Sequence, residues 1–177
     1  MGVKELKNYS YDDYLEIDKT TPQNERYELI FGEIYMMSGA SRQHQDVVGN
    51  IFFRFKQLQK KMGCSSVVAP FDIKLKCDDI INVVQPDVMI FCQDETTPCL
   101  VCEVLSPSTA HRDKTLKKEL YECFGVQNYL IVDPLNRYVD KFVLKDGILK
   151  YDKCYAKDDE MIVECLDESV EVGEFFE

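Results

Sequence analysis

The sequence predicts an α/β fold: a mixed central sheet flanked by helices, with a helix and strand extension at the amino end and a β meander at the carboxyl end. Three observations predict it. Residues 41–63 carry apolar side chains at helical spacing. Three β-rich apolar runs, a second amphipathic stretch and a further apolar run follow, giving the order helix, three strands, helix, strand over about 41–133. Beyond Pro134, short alternating segments surround an Asp-Gly pair. No repeat, low-complexity tract or linker divides the 177 residues, so one domain over 1–177 is expected.

Taken in order, "SYDDYLEIDK" (10–19) reads as a short helix capped by Ser10, and "RYELIFGEIYMMSG" as two strands around Phe31-Gly32. In "SRQHQDVVGNIFFRFKQLQKKMG" the apolar row is Val48, Ile51, Phe52, Phe55, Leu58 and Met62, with Ser41 as cap and Gly63 as stop. Strands are expected at 65–76, 83–92 and 99–105, separated by the turn-rich "CDDIIN" and "QDETTP". A helix should run from about Asp113 to Phe124 and stop at Gly125, with Leu116, Leu120 and Cys123 on its apolar row. "NYLIVD" is a buried strand ended by Pro134, and Asp146-Gly147 is the clearest hairpin turn of the meander.

Charge and cysteines bound the function classes. With 32 acidic against 21 basic residues the net charge is −11, a field that opposes loose association with nucleic acid or anionic membrane. Any such binding needs a local basic patch. Arg42, Arg54, Lys56, Lys60 and Lys61 on the long helix, and Arg112, Lys114, Lys117 and Lys118 around the second, are the candidates, although charges on helices often mark only a solvated face. Neither a membrane span nor a signal peptide is visible, so a cytoplasmic protein without membrane contact is expected. The eight cysteines sit mostly in apolar runs, where small buried hydrophobes go, and a core that needs no disulfides is expected. Cys99 and Cys102 have the spacing of a redox or zinc pair. On a strand, residues three apart point to opposite faces, and no second pair in the sequence completes a zinc site.

Two buried-looking strands each carry an acid: Asp87 in "VVQPDVMIFC" and Glu103 in "CLVCEVL". In adjacent strands they would converge, and two buried carboxylates need a shared proton, a basic side chain or a cation. A hard cation such as Mg²⁺ meets that need through oxygen ligands. Alternatively, each acid caps a turn or pairs with Arg or Lys. Pro86 removes a backbone donor and should make the strand irregular at Asp87. On the second helix Asp113, Lys117 and Tyr121 form an i, i+4, i+8 row beside the apolar one. Lys117 is thus better placed than Lys118, which should face water, to reach the carboxylates; a simple Asp113–Lys117 surface pair is the other reading.

Together "QPDVMIF", "CEVLSPSTAHRDKTLKKELYECFGVQNYLIVDP" and "YELIFGEIYMMSGASRQHQ" resemble the large bacterial family of restriction-endonuclease-like proteins, a branch of the PD-(D/E)XK nuclease superfamily. The resemblance implies a restriction-endonuclease-like core and a metal-dependent phosphodiesterase, with Asp87 and Glu103 ligating Mg²⁺ or Mn²⁺. Leu105 stands where the superfamily has lysine; the family's Asp-x-x-x-Lys-x-x-x-Tyr spacing matches Asp113, Lys117 and Tyr121, making Lys117 the candidate replacement. Glu33 and His44 match recurrent positions of the family's amino-terminal segment, and Ser106 and Asp113 are candidates to hold ligand and lysine in place.

The expected mechanism has Asp87, Glu103 and the Val104 carbonyl holding the cation while Lys117 helps deprotonate or orient an attacking water and neutralises charge in the transition state. The expected partner is nucleic acid, DNA first, and cutting both strands would suit a homodimer. The rival is an inactive nuclease-fold binding protein, favoured by the acidic balance and by Leu105.

Overall fold

The computed structural model describes residues 8–37, 39–59, 63–92 and 96–177. Helix α1 (Tyr11–Thr20) begins at Ser10, whose hydroxyl accepts from the Asp13 N–H while the Asp13 carboxylate accepts from the Ser10 N–H, a reciprocal capping box. Strands β1 (Tyr27–Ile30) and β2 (Glu33–Met36) form a hairpin through Phe31 and Gly32, both at positive φ (48° and 79°). Helix α2 (Arg42–Leu58) starts at Ser41, which accepts from the His44 N–H. It buries Val48, Ile51, Phe55 and Leu58 as the periodicity predicts, and Val47 with them, while Phe52 is half-buried; Met62, Lys60 and Lys61 lie outside the described residues.

Among the described residues five strands, not three, separate the helices. The run 65–76 breaks at Ala69-Pro70 into β3 (Ser65–Val68) and β4 (Ile73–Cys77). Ile80 and Ile81, expected in a turn, instead open β5 (Ile80–Val84), paired with β4 around Asp78 and Asp79 at positive φ. At Gln85-Pro86-Asp87 the chain leaves β5 and enters β6 (Val88–Phe91), so the irregularity expected at Pro86 is a change of sheet. Strand β7 (Leu100–Val104) follows. The predicted order survives because β3, β6 and β7 are consecutive in the central sheet, while β4 and β5 join β1 and β2 in a second sheet of order β2-β1-β5-β4.

The second helical run is α3 (Ala110–Arg112), a π turn (Asp113–Lys117) and α4 (Lys118–Phe124), ended by Gly125 at φ 83°. The wider π turn re-phases the buried face. Asp113, Lys117, Leu120 and Tyr121 are buried, whereas Leu116 is half-buried and Cys123 is exposed, against expectation. Lys118 is half-buried rather than fully in water, its ammonium 5.4 Å from the Phe142 ring centre. Strand β8 (Asn128–Asp133) then pairs parallel to β7, and β9 (Tyr138–Lys145) and β10 (Ile148–Ala156) complete the central order β10-β9-β8-β7-β6-β3 through a turn at Asp146-Gly147. The end of the expected meander leaves this sheet: β11 (Glu160–Val163) and β12 (Glu168–Glu171) pair with each other and pack against α2.

Strand alternation divides the core. Leu100, Cys102 and Val104 face α2 and the β11–β12 hairpin, where Phe55 meets Phe175 edge-on at 5.9 Å. Val101, on the other face, packs among α4, β4 and Tyr129. The expectation of a core without disulfides is corrected: Cys64 is joined to Cys92 and Cys77 to Cys123. These four come from segments whose proximity no local spacing reveals. Among the described residues no helix is long and apolar enough to cross a membrane.

Candidate active site

Central-sheet pairing between β6 and β7 runs out at Val88 and Cys102. Beyond it the Asp87 carboxylate takes the Val104 N–H at 2.8 Å, replacing the backbone acceptor that the interrupted strand withdraws. Glu103, alternating away from Cys102, enters the opposite face and is 3% exposed. Its Oε1 accepts from Lys117 Nζ at 3.0 Å and from the Tyr121 hydroxyl at 2.7 Å. Both bland readings of these acids are therefore realised in part, since one caps a backbone donor and the other meets a lysine.

Lys117 Nζ also lies 2.8 Å from Glu28 Oε1 and 3.8 Å from Asp113 Oδ1. Glu28, on β1, accepts in turn from the Gln85 N–H at 3.1 Å. His44, in the first turn of α2, places Nε2 3.3 Å from Asp87 Oδ2. These groups line one cavity of about 360 Å³, together with Val104, Ser106, Thr109, Arg112 and Arg26. The Arg112 guanidinium lies 4.7 Å from the Tyr35 ring centre. Ser106 and Thr109 hydroxyls meet at 2.9 Å at the entrance to α3.

Burial pushes the Glu103 carboxyl well above the usual range despite the pull of Lys117, and the charges of Asp113, Asp87 and Glu28 act in the same direction. Asp113 is raised for the same first reason. For Lys117 burial opposes the charge, but Glu103, Glu28 and Asp113 outweigh it, and its pKa is raised. Lys117 is therefore an ammonium here. His44 is also raised: burial lowers it, while the hydrogen bond and charge of Asp87 and the Val104 carbonyl more than offset that. With Nε2 facing the Asp87 carboxylate, a proton belongs on Nε2, and the buried Nδ1 has no partner among the described residues.

Of the residues singled out in the sequence, Asp87, Glu103, Val104, Lys117, His44, Asp113 and Ser106 come together. Glu33 does not, and this corrects the expectation for it. It sits exposed on β2, accepts from the Tyr35 hydroxyl at 2.7 Å, and is not among the cavity-lining residues. Sequence reasoning missed Glu28, although an acid inside the apolar "YELIF" is the same signal that exposed Glu103. Arg26 and Gln85 carried no comparable signal. Of the expected basic patch, Arg54 is taken by Glu174 at 2.7 Å, and Arg42 lies 3.7 Å from Asp46.

The donor set suits a hard cation. Four carboxylates, Glu28, Asp87, Glu103 and Asp113, face one ammonium and one imidazole, and the described hydrogen bonds fall on only one oxygen each of Asp87 and Glu103.

Known proteins resemble the chain along most of its length. The uncharacterized protein slr1290 of Synechocystis is 30% identical over 146 residues, covering 77% of this chain and 75% of that protein. The uncharacterized protein sll1609 of the same organism is 28% identical over 145 residues, covering 75% and 79%. The crystal structure of a "putative nuclease belonging to DUF820" from Anabaena variabilis superposes with a TM-score of 0.73 over 93% of this chain and 96% of that one; at 15% identity the likeness is one of fold. The sequence pattern of the Uma2 family, described as "Putative restriction endonuclease", matches residues 11–172, and the chain belongs to that family.

Proposed function

We propose that this chain is a divalent-cation-dependent nuclease that hydrolyses phosphodiester bonds of nucleic acid, DNA first, at the cavity between β6, β7, α2 and the π turn. One observation carries the reading: three buried carboxylates, Glu28, Glu103 and Asp113, surround a single ammonium, with Asp87 lining the same cavity, an excess of negative charge that a cation offsets. Asp87, Glu103 and the Val104 carbonyl would hold Mg²⁺ or Mn²⁺, with Glu28 and Asp113 in the wall. When bound, such a cation acidifies water and neutralises charge on a phosphoryl oxygen.

The chain's own groups do the rest. Lys117, kept protonated by its three carboxylates, is not a proton acceptor; it orients Glu103 and offsets charge developing on the phosphate. The Tyr121 hydroxyl donates to the same Glu103 Oε1 as Lys117, so the other carboxylate oxygen is left to a ligand. His44 holds its proton on Nε2 against Asp87. Arg112, over the Tyr35 ring, and Arg26 present guanidinium groups at the cavity to a phosphate backbone, which is a more local basic feature than the helix charges. The 3.0 Å between Lys117 Nζ and Glu103 supports Lys117, on the following helical segment, as the replacement for the lysine absent at Leu105. The cytoplasm, where nucleic acid is accessible, and a homodimer that cuts both strands accord with this reading.

A plasmid-nicking assay with Mg²⁺ or Mn²⁺ tests it. Cleavage is expected for the wild type and should be abolished by EDTA, Asp87→Ala and Glu103→Ala, with both variants retaining a cooperative melt. Unchanged activity in both variants would sink the assignment. A wild type that never cleaves, yet melts higher with Mg²⁺, is instead the inactive nuclease-fold binding protein.

A further inference from the structure

At the other end of the same two strands, four cysteines converge. Cys92 follows β6, Cys99 precedes β7, Cys64 leads into β3, and Cys165 lies in the 3₁₀ turn Glu164–Leu166 after β11. The sulfurs of Cys92, Cys99 and Cys165 all lie within 4.8 Å of one another, and Cys99 Sγ is 3.5 Å from Cys92 Sγ. Cys64 joins the group through its disulfide to Cys92. The sulfurs of Cys64 and Cys92 also approach the Cys165 carbonyl oxygen, at 3.7 and 3.3 Å; a disulfide carries no S–H, so in this form these are contacts rather than hydrogen bonds.

Tetrahedral zinc, with Zn–S near 2.3 Å, sets its sulfurs roughly 3.8 Å apart. We infer that in the reduced chain Cys64, Cys92, Cys99 and Cys165 bind a soft divalent cation of the zinc class as four thiolates, a site separate from the carboxylate cavity. Core cysteines that only fill space have no reason to arrive at one point from four chain segments. The segment that delivers Cys165 is held firmly. Lys141, 2% exposed, donates to the Ile162 carbonyl at 2.8 Å and to Glu164 Oε1 at 2.6 Å, while Val163 and Leu166 are buried on either side. Among the described residues the β11–β12 hairpin shares no ladder with the central sheet, so a cation here would tie it to the ends of β3, β6 and β7. Opening the Cys64–Cys92 disulfide with a dithiol reductant moves two electrons and two protons onto the sulfurs as the dithiol becomes a disulfide. Cation binding then displaces the thiol protons to water.

The test is a titration of the fully reduced whole chain with Co²⁺ as the probe, alongside zinc analysis of protein purified without chelator. One thiolate-bound cation per chain is expected, counted by sulfur-to-metal charge-transfer absorption and the visible bands of a tetrahedral thiolate site, apart from any Co²⁺ taken by the carboxylate cavity. Binding should persist in Asp87→Ala, fall at least tenfold in Cys99→Ser and Cys165→Ser, and be lost when Cys64 and Cys92 are reoxidised. A strong chelator should lower the melting temperature of the reduced wild type by about 5 °C or more. A reduced wild type that binds no Co²⁺, or binds it without charge-transfer absorption, overturns the inference with no variant needed. Binding that survives Cys165→Ser undiminished, or disappears in Asp87→Ala, overturns it equally.

Discussion

The two ends of β6 and β7 are built alike from opposite chemistries. Asp87 and Cys92 flank β6, Cys99 precedes β7, and Glu103 and Val104 end it, so antiparallel pairing sets oxygens together at one end and sulfurs together roughly 13 Å away. Thiols and disulfides are neutral and can be buried without a counter-charge. Carboxylates cannot, and the oxygen end accordingly recruits Lys117, Tyr121 and a π turn that carries Asp113 and Lys117 inward. The difference teaches that the oxygen end is a charge problem with a partial solution, whereas the sulfur end needs no counter-charge.

The sharpest way to break this contrast is to remove the lysine at each end. Lys117→Met leaves Glu28, Glu103 and Asp113 without their ammonium and should cost about 3–5 kcal/mol of stability in EDTA, part of it recovered by Mg²⁺. Lys141→Met should cost less, about 1–3 kcal/mol, because its partner Glu164 is 45% exposed on its side chain and rehydrates. Urea unfolding of both variants decides the matter. If Lys117→Met costs no more than Lys141→Met, charge imbalance does not shape the oxygen end.

A change of pH should separate the cation-free and cation-bound states of the oxygen end. A carboxyl whose pKa is raised on folding holds its proton more tightly in the folded than in the unfolded chain. Glu103 and Asp113 therefore make the cation-free protein less stable as pH rises from the usual carboxylate range through their raised values. The raised Lys117 acts in the same direction, but only above the usual lysine range. A proton and a cation compete for Glu103, so apparent Mg²⁺ affinity should weaken as pH falls, by up to about tenfold per unit. Melts in EDTA and in Mg²⁺ across pH should diverge upward with pH. Parallel curves would remove Glu103 from the cation's ligands.

What was legible follows from where the information sits. Helix α2, its Ser41 cap and strand β7 are written in local periodicity, and the Asp113, Lys117, Tyr121 row was visible because i, i+4 neighbours share a face in either an α or a π turn. The π turn itself has no compositional signature, so Cys123 was placed on an apolar row that the re-phased helix turns outward. Pro86 announced an irregularity but not that β5 and β6 belong to different sheets. The sulfur cluster was illegible because cysteine reads as a small hydrophobe and its members lie in four separate segments.

The smallest expected effect separates Glu28 from Glu33, the one carboxylate misplaced by reading the amino-terminal hairpin from sequence. Glu33 is exposed and touches the cavity only at third hand, through Tyr35, on whose ring Arg112 rests. Glu33→Ala should change stability by less than about 0.5 kcal/mol and leave cation affinity unmoved. If anything shifts, it should be KM for nucleic acid, since a freer Tyr35 loosens the Arg112 guanidinium without touching the ligands. Glu28→Gln, by contrast, removes the charge 2.8 Å from Lys117 and should lower kcat and cation affinity together. Steady-state kinetics on the two variants distinguish the roles: a Glu33→Ala protein that loses kcat as Glu28→Gln does would mean that β2 closes over the cavity during turnover and that both acids belong to the oxygen end.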